Sequence, residues 1–189
     1  MVEKYLPEKL LYIDGQARET RSSIKSKISE LKPYILSVSN RYDIDSNLLT
    51  AILIDEKLRL SVDDLIDPFQ KYLDLNLTVG LAQIRATTAK EIIYQGYYHP
   101  NPEDSKLKKP IKNKDLYPYL TQRDKAVYFA AAIIKSIMDK KLLDSPTDNL
   151  EIAFYYSHGM NASFDHKKVY IRQKQIINEF YNFSIALLE

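Results

Sequence analysis

The chain has 189 residues, 45% of them hydrophobic and 28% charged, with a formal net charge of +2. That length supports one globular domain with a core of its own, and the composition excludes a disordered chain. The near-balanced charge argues against a nucleic-acid binder, and the absence of cysteine excludes disulfides, thiol chemistry and sulfur-built zinc sites. No stretch is long and apolar enough to span a membrane.

In chain order, the N-terminal MVEKYLPEKLLYIDG is charged throughout and lacks the apolar core of a signal peptide. The expectation is a cytoplasmic start or a mature form. Residues 16–31 read as a helix, with Ile24, Ile28 and Leu31 on one face. Pro33 suits the first turn of a second helix continued by Ile35, Val38 and Tyr42. Asp45 or Ser46 can cap a third, in which Leu48, Leu49, Ala51, Ile52 and Leu53 are apolar. Residues 60–79 are irregular by pattern. Thr87 can cap a short helix through Tyr94, and residues 96–118 read as one long loop rich in Pro, Asn and Lys.

Thr121 opens a clear helix with Val127, Ala130, Ala131, Ile134, Ile137 and Met138 inward. Thr147 or Asp148 caps the next, and Gly159 falls where a helix C-terminus favours glycine. The last helix covers 165–183, with Val169, Ile176, Ile177 and Phe180 inward. Only four glycines and no convincing strand alternation predict a mainly α fold in one domain, 1–189. Its first 30 residues read as an N-terminal helical extension and 31–183 as the core.

Glu56 lies seven positions after Leu49, four after Ile52 and three after Leu53, on one helical face. Near a helix C-terminus and partly desolvated, its carboxyl pKa should rise, as a general acid requires. Asp55 follows Leu48, Ala51 and Ile52 equally well, so periodicity does not choose between them.

Four segments carry a family resemblance. Residues 42–57, YDIDSNLLTAILIDEK, resemble the catalytic helix of soluble lytic transglycosylases and goose-type lysozymes. Val79-Gly80-Leu81-Ala82-Gln83-Ile84, followed by Thr88-Ala89, is similar to that family's Gly-Leu-Met-Gln-Ile motif. Residues 121–138 resemble its Ala-rich helix, and LEIAFYYSHG, 150–159, its Ala-Tyr-Asn-Ala-Gly segment.

The resemblance implies a lysozyme-like helical domain with a substrate cleft. It implies Glu56 as the catalytic residue and Gly80, Leu81, Gln83, Tyr155, Tyr156 and Ser157 as substrate-binding. Gly80 would let backbone approach a sugar, Gln83 would bond the carboxyl or a sugar amide, and Tyr156 would stack on a ring. With no Trp and fifteen Tyr, tyrosine must supply the stacking.

Three positions depart from the family pattern. Lys57 stands for Ser, Ala82 for Met and Ser157 for Asn. The implied reaction is peptidoglycan cleavage between N-acetylmuramic acid and N-acetylglucosamine. One motif-borne carboxylate implies a lytic transglycosylase. A hydrolytic muramidase, with Asp67 or Asp74 as second carboxylate, and an inactive binding or scaffold protein are the alternatives. No metal or organic cofactor is implied. The implied partner is the glycan strand, not nucleic acid; an inhibitor or delivery partner is open. The implied place of action is the cell wall, reached as a mature form or by a signal-independent route. The basic run Lys106–Lys114 reads as a solvated loop, or as a cleft rim that attracts anionic polymer.

Overall fold

The computed structural model describes residues 9–59, 76, 78–108, 110–144 and 148–189. Thr147, Asp67 and Asp74 lie outside the described residues. The fold is mainly helical. Among the described residues no helix is long and apolar enough to cross a membrane.

The chain enters through an antiparallel hairpin, β1 (Leu10–Ile13) and β2 (Gln16–Thr20), where a helix was expected from residue 16. Asp14 and Gly15 both have positive φ, 51° and 77°, the backbone a two-residue hairpin turn requires. Leu11 and Ile13 are buried while Leu10 and Tyr12 face solvent. Among the described residues of the expected N-terminal helical extension, 10–20 form the hairpin, and 21–30 are helical as the start of the first long helix.

That helix, α1 (Arg21–Tyr42), is capped by Thr20, whose hydroxyl accepts from the Ser23 amide at 3.2 Å. Pro33 lies inside it rather than starting a new one. Pro33 is exposed, so the carbonyl left without a donor faces water, and the buried stripe Ile24, Ile28, Leu31, Ile35, Val38, Tyr42 runs unbroken past it. Burial of that stripe outweighs a proline cost of about 3 kcal/mol.

The central helix α2 (Ser46–Arg59) packs against α1, α5 (Arg123–Lys141) and the C-terminal helix. Asp45 caps it, accepting from the Asn47 amide at 2.8 Å, while its other oxygen accepts from the Tyr181 hydroxyl at 2.6 Å. Every residue from Leu48 to Glu56 is buried, so this helix has no solvent face over that stretch.

Strands β3 (Thr78–Val79) and β4 (Ile84–Arg85) form a short hairpin before α3 (Ala86–Tyr94). The expected loop at 96–118 holds a 3₁₀ turn at Ser105–Leu107 and α4 (Asn113–Leu120). Leu107, Ile111, Leu116, Tyr117 and Leu120 anchor it to the core, and the Ile111 amide donates to the Tyr94 hydroxyl at 3.1 Å. The described lysines of the basic run, Lys106, Lys108, Lys112 and Lys114, are exposed.

After α5 comes α6 (Asn149–His158), which ends on Gly159 at φ 87°. The last helix begins later than expected, as α7 (Ile171–Gln175), continues through a π-helical turn at Ile176–Phe180 and ends as α8 (Tyr181–Leu188). Val169 precedes it and is 67% exposed, so it is not inward-facing; Ile176 and Phe180 are.

Gly80 has φ +73°, and a Cβ there would overlap the Leu120 carbonyl oxygen at the end of α4. Its smallness serves packing of the β3–β4 hairpin against α4. Gly80→Ala is expected to cost about 2–4 kcal/mol, from overlap plus left-handed strain, read as a fall in Tm.

Candidate active site

The C-terminal turn of α2, the β3–β4 hairpin, α3, the end of α5, α6 and α7 enclose a cleft of about 990 Å³. Glu56, Gln83, Tyr155, Tyr156 and Ser157 line it together. Gly80 and Leu81 do not. Gly80 is turned to α4, and Leu81 packs against the core. The sugar-approach role expected of Gly80 is thus replaced by a packing role.

Tyr156 joins the distant motifs. Its hydroxyl donates to the Ala82 carbonyl at 3.1 Å, tying α6 to the β3–β4 turn. Its own ionisation is pushed far up by burial and then by the charge of nearby Glu56. Gln83 has φ 45°, a left-handed conformation held by its own side chain, whose Nε2 donates to the Gly80 carbonyl at 2.9 Å. Among the described residues its Oε1 has no donor, which leaves it for one in the cleft. The Ser157 hydroxyl donates to the Ala153 carbonyl at 2.8 Å and receives Gln173 Nε2 at 3.4 Å. The Tyr155 ring carries Lys141 Nζ at 4.3 Å from its centroid.

Asp55 and Glu56 are both buried, at 0% and 8% exposure, and adopt different roles. Asp55 sits behind the cleft between two guanidinium groups. Arg59 Nε donates to it at 3.0 Å and Arg172 Nε at 2.7 Å. Glu56 faces the cleft and accepts from Arg172 Nη2 at 2.7 Å. Burial pushes its pKa up to about 7, with Asp55 adding to the rise and Arg172 opposing it. Burial also raises Asp55, against the pull of Arg172 and Arg59.

Lys57, which stands where the family pattern has Ser, is paired with Glu19 on β2, its Nζ 3.9 Å from that carboxylate. The cation on Glu56 is Arg172, 116 residues away in sequence, which the motif reading did not single out. Arg59 extends the network to the hairpin turn through Asp14 at 3.0 Å, and Gln175 of α7 donates to the Tyr12 carbonyl at 2.6 Å. The N-terminal hairpin thus buttresses the charged floor of the site.

His158 stacks on Phe154 with ring centroids 4.4 Å apart, and its Nδ1 lies 3.1 Å from the Phe154 carbonyl. Among the described residues no group of three or more His, Cys, Asp or Glu is arranged to hold a metal ion. One acidic residue missed by sequence reasoning, Glu91 on α3, lines the same cleft as Glu56. The lysines of the 106–114 run that the structure describes do not line it. Compared with known proteins, the chain matches no family model, no curated protein and no solved structure.

Proposed function

We propose that this chain cleaves the glycan strands of peptidoglycan between N-acetylmuramic acid and N-acetylglucosamine, as a lytic transglycosylase acting at the cell wall. One observation carries the reading. Glu56 is a buried carboxyl on the wall of a large polar cleft, with a pKa near 7, beside the Gln83 and Tyr156 that the motif series pairs with it. The resemblance to soluble lytic transglycosylases and goose-type lysozymes supplies the substrate class.

A pKa near 7 leaves about half the molecules carrying the proton at neutral pH, which suits one group acting first as acid and then as base. In the first step the Glu56 carboxyl gives its proton to the glycosidic oxygen, and the bond from that oxygen to C1 of the muramic sugar breaks. In the second the Glu56 carboxylate takes the proton of the same sugar's 6-hydroxyl, whose oxygen bonds to C1 and closes an anhydro ring. Glu56 ends protonated, and no water is consumed. Holding the 6-hydroxyl against C1 has the advantage of an intramolecular reaction. Tyr156 on the cleft wall supplies the ring for sugar stacking, Tyr155 is buried beneath Lys141, and Gln83 offers its amide oxygen.

Glu91 favours a second reading, hydrolysis, because it puts another carboxylate on the cleft wall to activate water. Mass spectrometry of digested peptidoglycan separates the two. Anhydro-muropeptides, formed also by a Glu91→Gln variant, are the expected result. Products with one extra water, lost on Glu91→Gln, would make the chain a hydrolase.

A further inference from the structure

The cleft is more cationic than the chain around it. Over the whole sequence the net charge is only +2, yet Arg59, Arg85, Lys140, Lys141 and Arg172 line the cleft against Glu56 and Glu91. Arg59 and Arg172 are engaged by Asp14, Asp55 and Glu56. The other three cations have no carboxylate within ion-pair distance among the described residues, whereas Lys135 on the same helix as Lys140 pairs with Asp139 at 2.9 Å.

Helix electrostatics does not account for all three. Lys140 and Lys141 sit in the last turn of α5, where a cation is favoured. Arg85, however, occupies the N-cap position of α3, where the helix dipole opposes a positive charge and where its side chain makes no capping bond. Lys141 is held over the ring of Tyr155, which lines the cleft with it. Ser136 donates to Gln95 at 3.3 Å, joining α5 to α3 at the cleft.

We infer that Arg85, Lys140 and Lys141 form an anion-binding subsite in the cleft that takes carboxylate or phosphate groups carried by the substrate. Resting on the proposed cleavage reading, the shared chemistry has two sources. They are the carboxylates of the peptide stems on muramic acid and the phosphates of polymers attached to the glycan.

The test uses the Glu56→Gln protein, which holds strands without cutting them, and measures Kd for three glycan preparations. One is intact, one has its stems removed by an amidase, and one has its phosphodiester polymer removed by hydrofluoric acid. Loss of the recognised group is expected to weaken binding on the order of tenfold, the scale of two or three charge-assisted contacts. Which preparation loses affinity identifies the source. Adding Arg85→Ala, Lys140→Ala and Lys141→Ala should bring the ratio between preparations close to one, in a protein whose circular dichroism matches its parent. Equal binding of all three preparations by the parent, binding of none, or an unchanged ratio in the variant would overturn the subsite. Cleavage is read separately on the protein with Glu56 intact: failure to release fragments, with the anion preference standing, overturns the cleavage reading alone.

Discussion

Glu56→Gln is expected to lower glycan cleavage by about 10²–10⁴-fold, the range for loss of a positioned acid–base group, while leaving the fold intact. Gln retains an oxygen for Arg172 Nη2, so the 2.7 Å contact survives while the transferable proton does not. The same substitution should stabilise the protein at alkaline pH. The folded-state pKa near 7 lies above the ordinary 4.5, so the folded chain binds this proton more tightly. That contribution is fully present below pH 4.5, fades between 4.5 and 7, and is gone above 7; by linkage it is worth about 3 kcal/mol as an upper bound. Melting curves across pH should therefore show a flatter decline for Glu56→Gln than for the wild type, the residual slope belonging in part to Asp55. The wild-type rate should fall as pH rises through about 7. A variant that cuts glycan at wild-type rates would remove Glu56 from the site.

Helix α2 was legible because its apolar residues leave few alternatives, but the same fact hid the choice between Asp55 and Glu56. A helix buried on every side has no informative period over 48–56, and only the tertiary surroundings distinguish a carboxyl between two guanidiniums from one on a cleft wall. The entry hairpin carried a readable signal, Asp14-Gly15, outweighed by the helical spacing just beyond it. Pro33 reads as a boundary because the local rule is strong; the buried stripe across it is stronger. Strands of two residues, as at Thr78–Val79, are too short for alternation to register. Leu107, Ile111, Leu116 and Leu120 were masked by the prolines and lysines among them. Arg172 had no local signal at all, since an ion pair spanning 116 residues is a property of the fold.

That long-range pair sets the second large effect. Asp55→Asn takes the carboxylate from Arg59 and Arg172 but also removes a charge that burial disfavours, so above neutral pH the two changes oppose and its Tm should move less than that of Arg172→Gln. Arg172→Gln leaves two buried carboxylates without this cation and should destabilise by about 2–4 kcal/mol, below the full cost of halving a buried pair because Arg172 keeps 28% exposure, and it should do something a purely structural residue would not. Arg172 holds the Glu56 pKa down against burial, so its loss should raise that pKa beyond about 7. The descending limb of the pH–rate profile should then move to higher pH, with the acid form of Glu56 persisting where the wild type has lost it. Arg172→Lys keeps a charge that can meet both carboxylates, as Nη2 does, but loses the fork, with its additional Nε contact to Asp55. Its profile should lie between the other two, while its Tm stays closer to Arg172→Gln. A profile unmoved in Arg172→Gln, with only Tm lowered, would make the guanidinium a brace for Asp55 and leave burial alone to set the proton affinity of Glu56.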